Sequence, residues 1–137
     1  MAQTLLGTVV VPGEECQVRV VRRWLRGVLG DGHPACHDAE LLGSELVTNA
    51  ILHADAGPVS VAVLAVDGVI RVEVTDAGAG VSAPQVVEAG GCATSGRGLR
   101  MVHVLSGGRW GSRNGDGRRT VWFELPVSRN GGGRGAE

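Results

Sequence analysis

The sequence predicts an α/β fold, a two-layer sandwich in which about three helices cover one face of a mixed, mostly antiparallel sheet. Apolar residues recur at helical spacing in two segments, 14–29 and 38–54. Short β-branched segments alternate apolar and polar side chains, and two of them, 59–66 and 69–75, are joined by Asp67-Gly68, a strong hairpin signal. A length of 137 residues with 43% hydrophobic residues suits one domain with one core.

The predicted elements fill residues 1–127 and leave a glycine-rich tail, residues 128–137, that we expect to be disordered. Pro12 ends the first strand and favours an edge position for it. Asp38 is the expected N-cap of the second helix. In order, the elements are a strand at 4–12, a helix at 14–29, a loop at 30–37, a helix at 38–54, strands at 59–66 and 69–75, a small-residue lid at 81–95, a helix at 99–105 and strands at 109–112 and 118–126.

The composition excludes several kinds of site. All 13 basic residues are arginine, and without lysine the chain cannot form a P-loop, the lysine site of eukaryotic-type protein kinases or a pyridoxal Schiff base. The net charge of −1 comes from interspersed charges of both signs, so we expect no nucleic acid partner. The N-terminus has no signal-peptide pattern and no segment is apolar enough to span a membrane, which predicts a cytoplasmic protein.

The cysteines predict neither a disulfide framework nor a metal site. Cys16, Cys36 and Cys92 are widely spaced and form no C-x-x-C pair. His33, Cys36 and His37 share one loop and are zinc-ligand types, but no second ligand pair lies at a suitable spacing elsewhere. A solvated loop is the preferred interpretation.

A polar stripe follows the second helix. Glu45, Asn49 and His53 fall at positions i, i+4 and i+8, which places them on one side of the helix, next to its apolar face. A solvent-exposed face is the simplest explanation for such residues. A ligand site is the alternative, and the glycine-rich segments that follow favour it.

Two glycine-rich segments come next. Asp76 ends a strand ahead of Gly78 and Gly80, where a carboxylate can accept a hydrogen bond from a ligand amine while the backbone approaches the ligand closely; an ordinary turn is the alternative. Gly96-Arg97-Gly98 opens the third helix, where free N–H groups and the helix dipole favour an anion such as phosphate. Arg97 can add a charge-assisted contact. Together with the polar stripe, these segments suggest a nucleotide site without a P-loop.

Three segments in this order resemble the sequence boxes of the GHKL superfamily, which includes histidine kinases, gyrase-type topoisomerases, MutL-type repair proteins and heat-shock chaperone ATPases. Residues 45–54, ELVTNAILHA, resemble its N box, residues 74–80, VTDAGAG, its G1 box, and residues 95–99, SGRGL, its G2 box. The chain looks most like the small anti-sigma-factor serine kinases of the RsbW and SpoIIAB type, from about Val9 to Leu125. This resemblance implies the Bergerat ATP-binding fold, with ATP and Mg²⁺ as cofactors.

The resemblance also implies a role for each matching residue. Asn49 would bind the Mg²⁺ that bridges the phosphates, Glu45 would be the general base for a hydroxyl nucleophile, and Asp76 would accept the adenine amino hydrogen. Gly78 and Gly80 would hold the adenine-side loop, and Thr120 would support Asp76 or its bound water. His53 would line the phosphate side of the pocket. The residues that would lie against the phosphates are Gly96, Arg97, Gly98 and Leu99.

A function and partners follow from the same resemblance. A serine/threonine kinase of this type binds a sigma factor in one state and phosphorylates an anti-anti-sigma factor, a STAS-domain protein, in another. Leu52 stands where many histidine kinases have a basic residue, which disfavours a histidine kinase. Two alternatives stay open: a regulatory module that binds ATP without transferring phosphate, and a scaffold without a nucleotide site. Small relatives often form a homodimer through the sheet or the first helix.

Overall fold

The computed structural model describes residues 3–53, 57–76 and 93–127. These residues form one five-stranded sheet and three helices in the two layers that the sequence predicts. The elements are β1 (Gln3–Val11), α1 (Gln17–Leu29), α2 (Cys36–His53), β2 (Val59–Val66), β3 (Val69–Asp76), α3 (Ala93–Leu105), β4 (Trp110–Gly115) and β5 (Arg118–Pro126).

The strands lie in the order β1-β2-β3-β5-β4, and each pairing among the described strands is antiparallel. The sheet of the described residues is therefore antiparallel throughout and not mixed. β1 lies at one edge, as Pro12 predicts. Every second residue of β3 from Ile70 to Asp76 is buried, so one side of the sheet faces the helices and the other is an open face.

Two tight turns join the strand pairs. Asp67 and Gly68 have positive φ values of 34° and 83°, and Asp116 and Gly117 have φ values of 54° and 72°, as two-residue type I′ turns require. The first turn confirms the predicted hairpin. The second turn corrects the predicted end of β4. The strand continues to Gly115, so the turn is shorter than the predicted segment 113–117.

α2 is the central helix of its layer. It contacts α1, α3 and the strands β2, β3 and β5. Its buried residues Leu42, Leu46 and Val47 belong to one core cluster with Val72 and Phe123 of the sheet. Fully burying an aliphatic side chain of this size contributes about 1.5–3 kcal/mol relative to its exposure. The core therefore fixes α2 against the middle strands of the sheet.

α2 begins earlier than predicted, and a histidine caps it. The helix starts at Cys36, so Asp38 lies in its first turn and not at the N-cap. The backbone N–H of Ala35 donates a hydrogen bond to Nδ1 of His33 at 3.0 Å. Pro34 stands at the first position of this turn, where an N–H would have no partner in any case. Histidine is not among the usual N-cap residues, which explains why the sequence pattern pointed to Asp38.

α3 also begins earlier than predicted, at Ala93 and not near Leu99. Gly96 and Gly98 therefore lie inside the helix and not ahead of it. Glycine is a weak helix former, which is why the pattern placed the boundary after these residues. Gly108, with a φ of 82°, follows the helix end and donates its N–H to the carbonyl of His103 at 2.8 Å.

A bidentate ion pair joins α1 to α2. Nε of Arg26 donates to Oε2 of Glu40 at 2.7 Å, and Nη2 donates to Oε1 at 3.2 Å. The hydrogen bond to Glu40 raises the pKa of Arg26. Because Arg26 lies in the last turn of α1 and Glu40 near the start of α2, the pair holds the two helices together beside their connecting loop.

Several predicted features lie outside the described residues. They are the helix end at Ala54, Gly78 and Gly80, residues 81–92 of the lid, and the tail 128–137. The predictions made for them are untested. Within the described part of the chain, no helix combines the length and the apolar character needed to cross a membrane.

Gly43 allows α1 and α2 to approach each other closely. A Cβ atom at this position would lie 2.5 Å from Cδ1 of the buried Leu25. We expect Gly43→Val to lower the free energy of unfolding by about 1–3 kcal/mol because it overpacks this contact. Gly27→Val is the matched control, since nothing lies within 4 Å of a Cβ there. Urea denaturation measures both variants, and equal effects would contradict the close approach of the helices.

Candidate functional site

α2 positions two polar side chains one turn apart. Glu45 and Asn49 lie at i and i+4, a spacing at which side chains share a helix face. Asn49 is buried, with 4% of its surface exposed, whereas Glu45 is half-buried. This burial contradicts a solvent-exposed stripe at Asn49. α2 therefore places the amide of Asn49 inside the fold and Glu45 at the boundary between the fold and the solvent.

The hydroxyl groups near these residues bond to the helix itself. Oγ1 of Thr48 donates to the backbone carbonyl of Ser44 at 2.8 Å, and Oγ of Ser44 donates to the carbonyl of Leu41 at 2.8 Å. Both hydroxyls are therefore directed at the backbone of α2. Glu45 and Asn49 are the side chains of this stretch whose chemistry suits a ligand.

Asp76 is the last residue of β3 and lies on the helix-facing side of the sheet. Burial alternates along β3, which puts this side chain on the same side as Val72 and Val74. The Asp76 side chain exposes only 1% of its surface. A buried carboxylate is costly unless it is paired and hydrogen-bonded. The fold must therefore supply a partner for it.

The partner is Arg119 of β5, which the sequence analysis missed. The two residues stand directly opposite each other in the β3–β5 ladder, and Nη2 of Arg119 donates to Oδ2 of Asp76 at 3.2 Å. Arg119 exposes 8% of its side chain. A signal was available in the sequence: counting back in steps of two from Phe123 and Val121 places Arg119 on the same face of β5.

Thr120 contacts a different residue from the one predicted. It stands opposite Thr75, and the Oγ1 atoms of the two threonines are 2.8 Å apart on the open face of the sheet. Because successive strand residues point to opposite faces, Thr75 and Asp76 cannot both face the helices. The Thr120 side chain therefore bonds to Thr75, whereas Arg119 bonds to Asp76. Support of Asp76 by Thr120 through a bound water stays a prediction.

The predicted phosphate-binding segment lies in the first turns of α3. Gly96, Arg97 and Gly98 belong to the helix, and the side chain of Arg97 is outside the described part of the structure. Leu99 is 3% exposed and belongs to the core cluster, so its side chain serves packing. Phosphate binding by this segment stays a prediction. The same is true of His53, which ends α2 and whose side chain is likewise outside the described part.

The described residues fit a magnesium ion shared with a nucleotide better than one held by the protein alone. Among them, no group of three or more His, Cys, Asp or Glu side chains could hold a metal. Asn49 offers a hard amide oxygen in a buried position. Mg²⁺ usually keeps several waters and binds through one or two protein oxygens together with substrate phosphates. Asn49 is the residue that would hold it in this way.

The segment that contains His33, Cys36 and His37 has a structural role, and its last two residues lie in α2 and not in the predicted loop. Nδ1 of His33 caps α2, and Cys36 is buried. Burial raises the pKa of the Cys36 thiol, and the nearby Glu40 adds to the effect. A raised pKa disfavours the thiolate that zinc requires. These observations favour a structural role for the segment over a metal site.

The open face of the sheet carries a second polar cluster, formed by Arg71, Glu73, Trp122 and Glu124. The guanidinium of Arg71 lies 4.0 Å from the centroid of the Trp122 ring and donates to Glu73 and Glu124, each at 2.8 Å. Gly111 of β4 leaves room for the ring, because a Cβ there would lie 2.8 Å from Cζ2 of Trp122. The cluster fixes β3, β4 and β5 to one another on the side away from the helices.

The family of the chain follows from its sequence and fold together. Residues 11–124 match the family described as histidine kinase-like ATPase domain. Because this match covers most of the chain, the chain belongs to that family. The match confirms the resemblance to the GHKL superfamily. The helix with Glu45 and Asn49 and the strand that ends in Asp76 are features that this resemblance predicts.

Similarity to a solved structure indicates the type of family member that the chain resembles. The chain is similar to the crystal structure of the RsbU and RsbW domains of Rv1364c from Mycobacterium tuberculosis, with a TM-score of 0.64 and 25% sequence identity. The match covers 90% of this chain and 33% of that one, so this chain spans about a third of its length. No curated protein matches the chain. The predicted resemblance to the RsbW type is confirmed.

Cys16 and Cys36 should differ in reactivity. Cys16 is exposed, whereas Cys36 is buried and its pKa is raised. At pH 8 we expect iodoacetamide to modify Cys36 at least about tenfold more slowly than Cys16, because the thiolate is the nucleophile. Since the folded pKa of Cys36 is raised, its rate should increase only as the pH passes above the ordinary thiol range.

Mass spectrometry of the proteolysed protein measures both sites, with labelling in urea as the control for complete reaction. Equal rates at Cys16 and Cys36 in the folded protein would contradict the burial of Cys36.

Proposed function

We propose that this chain is an ATP-binding regulator that transfers the γ-phosphate of Mg-ATP to a serine or threonine of an anti-anti-sigma factor, a STAS-domain protein, and binds a sigma factor in another state. The observation that carries the proposal is the position of Glu45 one helical turn before the buried Asn49. Membership of the histidine kinase-like ATPase family and the likeness to an RsbW domain support it.

Glu45 would act as the general base. Glu45 is half-buried, so part of the residue is open to the solvent from which a hydroxyl would approach. It takes the proton of the attacking hydroxyl while the hydroxyl oxygen bonds to the γ-phosphorus. The bond between that phosphorus and the β–γ bridging oxygen breaks, and ADP leaves. Asn49 would hold a Mg²⁺ ion, which would supply positive charge to the phosphate oxygens.

Asp76 would select the base. Its carboxylate accepts a hydrogen bond from the 6-amino group of adenine, whereas guanine presents a carbonyl oxygen there, and two acceptors repel each other. Asp76 is almost fully buried at the end of β3, so water competes little for this contact. The proposed site therefore prefers ATP to GTP.

The remaining contacts with ATP would come from the glycine-rich segments. Gly78 and Gly80 would hold the adenine side of the nucleotide. Gly96 and Gly98 would lie against the phosphates, with the Arg97 side chain nearby to add a charge-assisted contact. His53, at the end of α2, would line the phosphate side of the pocket.

The proposed partners are proteins. A regulator of the RsbW type would act in the cytoplasm, bind a sigma factor and a STAS-domain protein, and make no direct contact with nucleic acid. The exposed arginines of α1, Arg19, Arg22 and Arg23, offer a surface for an acidic partner. We also propose that this chain forms a homodimer.

Glu45→Gln should abolish phosphate transfer and leave ATP binding intact. The amide keeps the size of the side chain but cannot take up the proton. We expect the transfer rate to fall by about 10²–10⁴-fold. The assay uses radiolabelled ATP and a purified STAS-domain protein, with Glu15→Gln, an exposed glutamate ahead of α1, as the control.

Transfer by Glu45→Gln at the wild-type rate would contradict the proposed base. ATP binding without any transfer by the wild-type protein would replace the kinase by the second candidate function, a regulatory module that binds ATP and switches a partner.

Asn49→Ala should remove the effect of magnesium on ATP binding. The variant lacks the amide oxygen proposed as the protein ligand of the ion. Calorimetric titrations with ATP, in Mg²⁺ and in EDTA, should differ for the wild-type protein and coincide for the variant. Asn114→Ala, at an exposed asparagine of β4, is the control. A magnesium effect that persists in Asn49→Ala would assign the ion to other residues.

A further inference from the structure

The helix-facing side of β3 and β5 is an apolar ladder that ends in one ionic pair. Successive cross-strand pairs on this side are Ile70–Leu125, Val72–Phe123, Val74–Val121 and Asp76–Arg119. Nη2 of Arg119 lies 3.2 Å from Oδ2 of Asp76, and both side chains are more than nine-tenths buried. The change from apolar to ionic falls at the last residue of β3.

Stability alone does not explain this pair. A buried ion pair loses the hydration of two charges, and its replacement by apolar side chains of similar volume is often neutral or stabilising. One more apolar pair would continue the ladder with residue types already present in it. The ionic pair that replaces an apolar pair lies at the position where Asp76 is proposed to contact the base. The ionic pair therefore points to recognition of a ligand.

The pair presents a hydrogen-bond acceptor beside a donor. Adenine has the complementary edge, since its 6-amino group donates and its N1 atom accepts. A guanidinium has five N–H donors, so Arg119 can keep its bond to Asp76 and donate to N1 at the same time. The register of two adjacent strands fixes the spacing of the two groups before a ligand arrives.

We propose that Arg119 is a specificity-determining residue that donates a hydrogen bond to N1 of adenine while Asp76 accepts one from the 6-amino group. The inference rests on the ATP site of the proposed function. Guanine in the same orientation presents its carbonyl to Asp76 and its N1–H to Arg119, and both contacts become repulsive.

The first test changes the ligand and leaves the protein intact. The wild-type protein is titrated calorimetrically with ATP and with 1-deazaadenosine triphosphate, in which a C–H group replaces N1. Loss of a hydrogen bond to a charged donor should weaken binding by about tenfold or more. GTP should bind more weakly still, because it opposes both members of the pair.

The second test removes the donor. Arg119→Met keeps an unbranched side chain but lacks the guanidinium and its N–H groups, and it should bind ATP more weakly and 1-deazaadenosine triphosphate about as well as ATP. Arg118→Met is the matched control, since Arg118 is the exposed neighbour on the same strand and should keep the wild-type preference. Circular dichroism establishes that each variant is folded.

Each result decides between the possibilities. Equal affinity of the wild-type protein for the two adenine nucleotides would overturn the role of Arg119 while ATP binding, and with it the proposed function, stands. A preference for ATP that survives in folded Arg119→Met would assign the N1 donor to another residue. Stronger binding of GTP than of ATP would overturn the stated orientation of the base. If the wild-type protein binds no nucleotide, the proposed function fails together with the inference.

Discussion

The antiparallel register between β3 and β5 is the constraint on which the rest of the structure depends. It sets apolar pairs against each other beneath α2 and brings Asp76 opposite Arg119 at the end of the ladder. On the open face the same register sets Thr75 against Thr120. Because side chains alternate with a period of two, a slip by one residue would turn all of them to the wrong face. One register thus determines both the core and the candidate base-binding group.

α2 combines stability and the proposed chemistry within one helix. Leu46 and Val47 are fully buried in the core, and Asn49 is buried only two residues further along. Side chains that are held by core packing keep their position before a ligand arrives, which favours binding of a magnesium nucleotide. Glu45, the proposed general base, is half-buried in the middle of the same helix. The ion pair of Arg26 with Glu40 holds α1 against this helix.

Local signals predicted most of the fold, whereas contacts between distant segments escaped them. The strands, apart from the bounds of β4, and the hairpin turn at Asp67-Gly68 were predicted correctly because alternation and turn chemistry act within a few residues. The start of α2 was misplaced for a local reason, because histidine is an unusual N-cap residue and the sequence pattern pointed to Asp38. Asp76 was recognised from its position at a strand end, but its pairing with Arg119 and the bond of Thr120 to Thr75 were missed, since the choice of partner depends on a register between strands far apart in sequence. The glycines of the first loop lie outside the described residues, so their roles remain predictions.

Whether Asp76 selects adenine is best measured by calorimetric titration of the wild-type protein and Asp76→Asn with Mg-ATP and Mg-GTP. Asp67→Asn, at the exposed turn between β2 and β3, is the control, because asparagine tolerates the positive φ of 34° at that position. We expect the wild-type protein and Asp67→Asn to bind ATP and to reject GTP, and we expect Asp76→Asn, shown to be folded by circular dichroism, to lose ATP. Unchanged ATP binding by folded Asp76→Asn, or no binding by the wild-type protein, would contradict a base-selecting nucleotide site at the end of β3.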